Sequence, residues 1–285
     1  MLKLQSSGRG SNFSLARGIA ETVLGAVYAG AWPARVLSRI PAATRVRPVR
    51  RQLAFGRGGR APLKLAFASD LHIGPLTPPP LLDEAFRVLA SFAPDVLVLG
   101  GDYVFLDVTA HAAAVLQRLV ASVPAATKLA VLGNHDLWTD NATIERALEA
   151  GGARVLVNES ARLPPPHDDV AIVGLDEPWT GQPDAERAFA ASADAPVRIA
   201  VAHAPEGVPH VRGRGAGLML CGHTHGGQVA LPSGPVVVHG PLGRRWPAGF
   251  HDADGVPLFV SRGIGAVDLP LRAWAPSDVA LFELV

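Results

Sequence analysis

Five short apolar runs in this sequence are each followed by side chains that can bind a metal ion. Run 63–69 precedes Asp70 and His72, run 96–99 precedes Asp102, run 128–132 precedes Asn134, His135 and Asp136, run 198–202 precedes His203, and run 218–221 precedes His223 and His225. Such runs, bounded by Gly, Pro or Asp, are typical of strands buried on both faces. Because ligands of open α/β sheets bind at the carboxyl ends of the strands, we expect these side chains to converge on one metal site.

The donor types indicate which ions this site would hold. Carboxylate, imidazole and amide oxygen donors suit Mn²⁺, Fe²⁺ or Zn²⁺, and the lack of thiolates argues against a structural zinc. Asp70 and His72 are two residues apart, as are His223 and His225, so each pair shares one face of an extended chain. The seven candidate ligands are too many for one ion and suit two ions, with the two-oxygen carboxylate of Asp102 as the bridge.

Two ions in one site predict phosphoryl chemistry. A pair of divalent cations about 3.5–4 Å apart can deprotonate a bridging water near neutral pH and hold a phosphoryl group for in-line attack. The leaving oxygen then needs a general acid, and His135, beside a candidate ligand, is expected to protonate it. Asp136 is expected to orient the imidazole of His135.

The elements that would position these residues alternate along the chain. Helices are expected from about Thr77–Pro78 onward, over 109–121 and over 141–150, the last closed by Gly151 and Gly152. Further strands are expected at 170–175, 236–239, 258–261 and 278–284. This alternation predicts an α/β fold.

The series DLH, GD, GNHD, H and GHTH resembles the calcineurin-like metallophosphoesterase superfamily over residues 63–285. The resemblance implies a four-layer α/β/β/α sandwich of two mixed sheets and two divalent ions, Mn²⁺, Fe²⁺ or Zn²⁺, with manganese favoured. It also implies that His135 contacts the phosphate and the leaving group. The implied ligands are Asp70, His72, Asp102 and His225 for one ion, and Asp102, Asn134, His203 and His223 for the other.

Three later stretches resemble a bacterial branch of membrane-associated phosphodiesterases. They are GHTHGGQ at 222–228, SRGIG at 261–265 and LPLR at 269–272. Members of that branch commonly carry an N-terminal signal or anchor, and some act on UDP-2,3-diacylglucosamine in lipid A synthesis. Arg262 and Arg272 could grip a substrate phosphate, and a structural ion pair is slightly favoured for each.

The charge distribution divides the chain into a basic segment and an acidic remainder. Residues 1–60 carry eleven Lys and Arg residues against Glu21 alone, whereas the remainder carries 15 against 24 acidic residues. We therefore expect a basic N-terminal segment, 1–60, and a catalytic domain, 61–285. Residues 1–14 are expected to be disordered because they are polar and rich in Ser and Gly.

Residues 15–60 allow two interpretations. Apolar residues about four apart, among them Ile19, Val23 and Val27, fit an amphipathic helix, and a polybasic stretch follows it, as for binding to an anionic membrane surface. The alternative is a helix packed on the main domain with a solvated basic linker. The uninterrupted apolar part is shorter than a bilayer span. A cytoplasmic protein peripheral to the inner membrane is expected, and an exported form stays open.

Two other functions compete with a phosphodiesterase or pyrophosphatase acting on a lipid-linked or nucleotide-sugar substrate. A nuclease or nucleotide phosphodiesterase would use the basic segment as an arm, but that arm has few aromatic residues for base stacking, and nucleic acid is not the expected partner. A non-catalytic scaffold on the same fold would normally have lost ligands. No obligate protein partner is evident from the sequence. The single cysteine, Cys221, excludes an internal disulfide and is expected in the core.

Overall fold

The computed structural model describes residues 5–285, in which strands and helices alternate as the sequence predicts. The strands are β1 Arg47–Leu53, β2 Leu63–Ala68, β3 Val96–Leu99, β4 Thr127–Ala130, β5 Arg154–Val155, β6 Glu159–Arg162, β7 Val170–Gly174, β8 Val197–Val201, β9 Leu218–Cys221, β10 Ala230–Leu231, β11 Gly234–Pro235, β12 Gly249–Ala253, β13 Val256–Val260 and β14 Asp278–Leu284. The helices are α1 Leu15–Val27, α2 Trp32–Leu37, α3 Pro79–Ser91, α4 Ala110–Ala121, α5 Asn134–Trp138, α6 Asn141–Ala150, α7 Ala185–Ala190, α8 Val208–Val211 and α9 Pro241–Arg245.

Two six-stranded mixed sheets carry the fold. The first has the order β1-β14-β2-β3-β4-β5, in which β14 runs antiparallel to β2 and the other neighbours are parallel. The second has the order β12-β13-β9-β8-β7-β6, with antiparallel pairs only at its two edges. The carboxyl ends of β2, β3 and β4 therefore share one edge of the first sheet, and those of β8 and β9 share one edge of the second.

The cores define four layers. Leu65 and Phe67 of the first sheet pack with Ile199 and Leu220 of the second in a core between the sheets. A second core joins the outer face of the first sheet to α3, α4 and α6, and a third joins the outer face of the second sheet to α7 and α8. Both faces of each central strand are thus buried, which is why these strands read as continuous apolar runs. The expected α/β/β/α sandwich is confirmed.

The expected helices also form, but one expected strand does not. Residues 236–239 make no strand, and the nearby chain forms only the short β10–β11 hairpin. Val236 and Val237 are 57% and 63% exposed, so neither has a sheet face to pack against. Their β-branched side chains favour a strand locally, but the tertiary structure offers no partner strand there.

The N-terminal segment contacts the sheets more extensively than its composition suggests. Residues 47–53, expected to be polybasic chain or a solvated linker, form edge strand β1 beside β14. The Arg57 guanidinium makes a buried ion pair with Asp169 at 2.7 Å. Of the stretch 1–14 expected to be disordered, residues 1–4 lie outside the described residues. Residues 7 and 10 donate backbone hydrogen bonds to α5, and residue 11 donates one to the loop after β7. The division at residue 60 stays a prediction.

Helix α1 has an unusual orientation. It packs on the domain through Gly18, Glu21 and the partly buried Leu24, while Ile19 and Val23 point to solvent. Its apolar face is therefore turned outward. None of the helices formed by residues 5–285 combines the length and the apolar character that crossing a bilayer requires.

Candidate metal centre

All seven predicted ligands follow strand ends, as the sequence predicts, and Asn134 is the first residue of α5. Five of them have a positive φ angle, a backbone conformation that is costly for residues with a side chain. They are Asp70 (55°), His72 (43°), Asp102 (57°), His223 (70°) and His225 (52°). The first two loops brace one another, because Asp70 and His72 donate backbone hydrogen bonds to the carbonyls of Gly101 and Asp102 at 2.9 and 3.1 Å. Strained backbone concentrated in this way is typical of functional sites.

Asp70, His72 and His225 form the first group of donors that could hold a metal ion. One ligand atom from each lies within 4.8 Å of the others, and all three residues are buried. Nε2 of His72 lies 3.0 Å from Nε2 of His225, and Nε2 of His225 lies 3.4 Å from Oδ1 of Asp70. These atoms therefore face a common point.

Asp102, His203 and His223 form the second group, again with donor atoms within 4.8 Å of one another. Asn134 adjoins this group, because its Oδ1 lies 2.9 Å from Nδ1 of His223. The two groups meet at Asp102: its Oδ2 lies 3.2 Å from Nε2 of His203 and 3.6 Å from Nε2 of His72. One carboxylate thus faces both sets of donors.

The hydrogen bonds of two imidazoles, those of His203 and His72, fit metal binding. Nδ1 of His203 lies 2.8 Å from the carbonyl oxygen of Gly100, and Nδ1 of His72 lies 3.4 Å from that of Val104. A carbonyl can only accept, so Nδ1 carries the proton and Nε2 is left to face the site, as in most metal-binding histidines. Among residues 5–285, the buried Nε2 of His223 has no hydrogen-bond partner, and Nε2 of His203 faces the Asp102 carboxylate at 3.2 Å. Two borderline cations fit these oxygen and nitrogen donors.

The charges in this cluster perturb one another strongly. Burial opposes the charged form of Asp102, but the His203 imidazole outweighs it and holds the pKa of Asp102 well below its usual range. Burial likewise opposes protonation of His203, but the Asp102 carboxylate prevails and raises the pKa of His203 to about 10. Burial lowers the pKa of His72 to about 4 and that of His223 to about 3. Opposed pKa shifts of this kind are typical of functional clusters.

Two glycines make room for this arrangement. A Cβ atom at Gly133 would overlap the carboxylate of Asp102, and one at Gly222 would overlap Ser69 and Asp70. The glycines of the GNHD and GHTH motifs are thus required by close packing of neighbouring loops against the carboxylates.

Asp136 does not orient His135, and that expectation is wrong. Its carboxylate accepts backbone N–H groups from Asp102 (2.8 Å), Tyr103 (2.8 Å) and Gly133 (2.9 Å). Burial and the nearby Asp102 charge raise the pKa of Asp136 to about 7. Asp136 therefore holds the turn that carries Asp102, rather than an imidazole.

His135 lies in the wall of a cavity of about 350 Å³ that also exposes Asp102, Asn134, His223 and His225. Its backbone N–H donates to Oδ1 of Asp102 at 2.9 Å. Burial holds the pKa of His135 well below its usual range, so its ring is neutral at pH 7. A neutral imidazole can donate an N–H hydrogen bond to an oxygen in the cavity.

Several residues of the site were not singled out from the sequence. Trp138 and Trp179 line the cavity, and Trp179 packs edge-on against His223 with ring centroids 4.6 Å apart. Arg17, from α1, lines it as well. A signal for Arg17 existed in the sequence: apart from Glu21 it is the single charged residue of the apolar α1 segment.

The two arginines near the C-terminus have structural contacts. Arg262 pairs with the buried Asp278 at 3.3 Å. Arg272 donates hydrogen bonds to backbone carbonyls, among them that of Ala275 at 3.0 Å, and its Nη2 lies 2.9 Å from Nδ1 of His225. The structural ion pair favoured for Arg262 forms, whereas Arg272 uses carbonyl hydrogen bonds instead of a carboxylate.

Comparisons with known proteins agree with this site. The family model described as calcineurin-like phosphoesterase matches residues 63–227. The chain is 32% identical to Phosphodiesterase YaeI of Escherichia coli over 244 residues, 83% of this chain and 87% of that protein. It is 29% identical to the uncharacterized metallophosphoesterase YkuE of Bacillus subtilis, covering 78% of each chain. It is 26% identical to UDP-2,3-diacylglucosamine pyrophosphatase LpxG of Chlamydia trachomatis, covering 60% of this chain and 65% of that protein.

The family match spans more than half of the chain and contains every strand-end loop that carries a predicted ligand. It coincides with two groups of donors that could each hold a metal ion. The chain therefore belongs to the calcineurin-like phosphoesterase family and is a metal-dependent hydrolase of phosphoester bonds.

Proposed function

We propose that this enzyme hydrolyses a phosphodiester or pyrophosphate bond in a substrate that joins a phosphate group to an apolar part. The observation that carries the proposal is the position of Asp102, whose Oδ2 faces a histidine of each donor group at the bottom of a cavity. A cavity with this floor can hold a phosphoryl group against two cations at once.

Each predicted residue has a role in this proposal. The first ion would be held by Asp70, His72, Asp102 and His225, and the second by Asp102, Asn134, His203 and His223. Divalent cations bound there, with manganese favoured, would activate water for attack and neutralise the charge of the phosphoryl oxygens.

His135 would then act on the substrate. Its neutral ring donates a hydrogen bond to an oxygen of the scissile phosphate. The negative charge of a bound phosphate favours the protonated imidazole, so substrate binding itself would raise the pKa of His135 toward the range in which it can protonate the leaving oxygen. Trp138, with its ring centroid 5.4 Å from that of His135, helps to hold the ring in place.

The rim of the cavity supports a substrate with an apolar part. Val236, Val237 and Leu269 line the cavity and are each more than half exposed. A polar floor below an apolar rim suits a lipid-linked phosphate or a nucleotide sugar that carries acyl chains. The similarity to LpxG, a UDP-2,3-diacylglucosamine pyrophosphatase, favours that class.

The outward apolar face of α1 supports presentation of the substrate at a lipid surface. Leu15, Ile19, Val23 and Val27 are 46–56% exposed and follow one another at four-residue intervals. Between α1 and the end of β1 the exposed charged residues are all arginines, namely Arg35, Arg39, Arg45, Arg47, Arg50 and Arg51. An apolar helix face and a run of exposed arginines in the same N-terminal segment match an anionic membrane surface. We therefore propose that the enzyme is peripheral to the inner membrane on its cytoplasmic side.

Hydrolysis with metal analysis on the same sample tests the catalytic proposal. The purified protein should contain or take up two divalent ions per chain and should cleave bis(p-nitrophenyl) phosphate with Mn²⁺. UDP-2,3-diacylglucosamine and a simple monoester, p-nitrophenyl phosphate, should then be compared at matched concentration. A protein that takes up no divalent metal would refute the proposal, and preference for the monoester would refute the diester or pyrophosphate assignment.

A further inference from the structure

Arg17 brings a positive charge into the cavity from outside the segment matched by the family model. It lies in the first turn of α1 and lines the cavity together with Asp102, His135 and His223. The family match begins only at residue 63, so this arginine is an addition of the N-terminal segment to the site.

The guanidinium of Arg17 is held rigidly from three sides. Its Nε donates to Oε1 of the buried Glu21 at 3.0 Å, and its Nη1 donates to Oδ1 of Asp268 at 3.2 Å. Its Cζ lies 5.6 Å from the centroid of the Trp138 ring, within the range of a cation–π contact. The plane of the guanidinium is therefore fixed before any ligand binds, which reduces the entropy lost on binding.

One nitrogen of this group is left over. Nη2 of Arg17 is buried and has no hydrogen-bond partner among the residues that the structure describes. Arginine has five N–H donors in a planar fork, and a buried donor without a partner is unfavourable. Because the partners that residues 5–285 supply account for Nε and Nη1, and Arg17 lines the cavity, Nη2 is the nitrogen of this guanidinium that remains for a ligand.

The chain preceding α1 is anchored so that Arg17 keeps this position. Ser11 donates its backbone N–H to Thr180 at 2.8 Å, and Gly10 donates to Leu137 at 2.8 Å. Arg9 makes a two-pronged ion pair with Asp176, with both N–O distances 2.7 Å. These contacts tie residues 7–17, the N-terminal strap, to α5 and to the loop after β7, each of which contributes a tryptophan to the cavity wall.

We propose that Arg17 binds a non-bridging oxygen of the substrate phosphate through Nη2, so that residues 7–17, the N-terminal strap, complete the substrate site. The inference rests on the proposed function for the identity of the substrate, but it makes a separate claim about anion binding. An arginine fork suits a phosphate better than a lysine does, because the guanidinium is planar and its donors have fixed directions.

Binding of inorganic phosphate to the Mn²⁺-loaded full chain, measured by titration calorimetry, tests this claim without relying on turnover. We expect Arg17→Ala to weaken phosphate binding and to raise KM for bis(p-nitrophenyl) phosphate about ten- to a hundredfold, as for a lost hydrogen bond to a charged group. Arg17→Lys should recover only part of the loss. Metal content should equal that of the wild type in both variants.

Two comparisons distinguish substrate binding from a structural role. Arg87→Ala removes an exposed helix arginine that is paired with Glu84 on its own helix, as Arg17 is with Glu21, and should leave phosphate binding unchanged. Glu21→Gln and Asp268→Asn weaken the anchoring of α1 but keep the guanidinium. If either of these two variants loses as much phosphate affinity as Arg17→Ala, the role of Arg17 is structural and the proposal is overturned.

The remaining outcomes separate this inference from the proposed function. A folded Arg17→Ala variant with unchanged metal content and a phosphate affinity within twofold of the wild type overturns the inference, whether or not the enzyme cleaves diesters. Phosphate binding that depends on Arg17 in a protein without phosphodiesterase activity supports the inference and refutes the proposed function.

Discussion

The buried carboxylate of Asp136 accepts the backbone N–H of Asp102 at 2.8 Å, so one aspartate holds in place the aspartate that faces both donor groups. Asp102 sits at a positive φ angle of 57°, and the same Asp136 carboxylate also receives the N–H groups of Tyr103 and Gly133. The strained turn is thus stabilised by an acceptor from α5, and this relationship leads to the first prediction.

Asp136→Asn should weaken metal binding without removing a ligand. An amide presents one NH₂ group to N–H donors that need an acceptor, so the turn that carries Asp102 should loosen. We expect a loss of about 10–100-fold in metal affinity or activity, as for other residues that support a metal ligand. Isothermal titration with Mn²⁺ and steady-state kinetics measure it. Metal affinity equal to the wild type would show that Asp136 does not support the site.

Asp102→Ala should remove both ions together. Its Oδ2 faces Nε2 of His72 and of His203, so no donor of either group compensates for its loss. Metal analysis should find the variant far below two equivalents, with activity at background. Asp83→Ala, which breaks only an exposed pair with Arg118, is the control. Retention of one full equivalent in Asp102→Ala would contradict a shared carboxylate.

His135→Ala should retain the metal and lose most of the rate. The ring lines the cavity but belongs to neither donor group, and loss of a general acid typically costs about 10²–10⁴-fold. The exposed His111 provides a matched control for histidine removal. Parallel metal analysis and kcat measurements check this prediction, and a drop in metal content equal to the drop in rate would count against it.

The ion pair between Arg9 and Asp176 should stabilise the docked N-terminal strap except in acid. Burial raises the pKa of Asp176, but hydrogen bonds from Arg9 and from backbone N–H groups outweigh it and lower the pKa overall. A carboxylate with a lowered pKa stabilises the folded state above its unfolded pKa of about 3.9, and this contribution is lost as the pH falls through the folded value.

Arg9→Ala should therefore reduce the free energy of unfolding at pH 7 by about 1 kcal/mol or less, a small value because the Arg9 side chain is 36% exposed. The difference from the wild type should shrink as the pH falls below the unfolded pKa of about 3.9 and then through the lowered folded pKa. Thermal unfolding from pH 7 to pH 3 measures it, with the surface pair variant Arg118→Ala for comparison. If the difference in free energy of unfolding between Arg9→Ala and the wild type grew on acidification, the prediction would be wrong.

Replacing apolar residues on the outer face of α1 with acidic ones should abolish binding to anionic vesicles. Ile19→Glu with Val23→Glu places two charges on a face that is exposed in the structure, so the fold should tolerate them while a lipid surface should not. Flotation with vesicles containing phosphatidylglycerol reads out binding, and hydrolysis of bis(p-nitrophenyl) phosphate should stay unchanged. Ala190→Glu with Ala193→Glu adds the same charge at exposed positions of the second sheet's helix layer. If both double variants float with the vesicles as well as the wild type does, the outer face of α1 is not the membrane-binding surface.

The sequence by itself determined the fold class and the donors available to the metal centre. Both are local patterns: an apolar run buried on two faces, followed at once by Asp, Asn or His. Parallel strands must place such residues at one edge, so Asp70, Asn134 and His223 could be grouped without knowing the order of the strands.

Only the tertiary structure decided what the neighbouring side chains contact. The Asp136 carboxylate accepts the backbone N–H of Asp102 because the segments that follow two adjacent strands meet there. Arg17 lines the cavity because the N-terminal strap is held by residues more than a hundred positions away in the sequence. The outward direction of Ile19 likewise depends on what packs under α1. Local patterns fix which residues share a face, but the direction of that face follows from long-range packing.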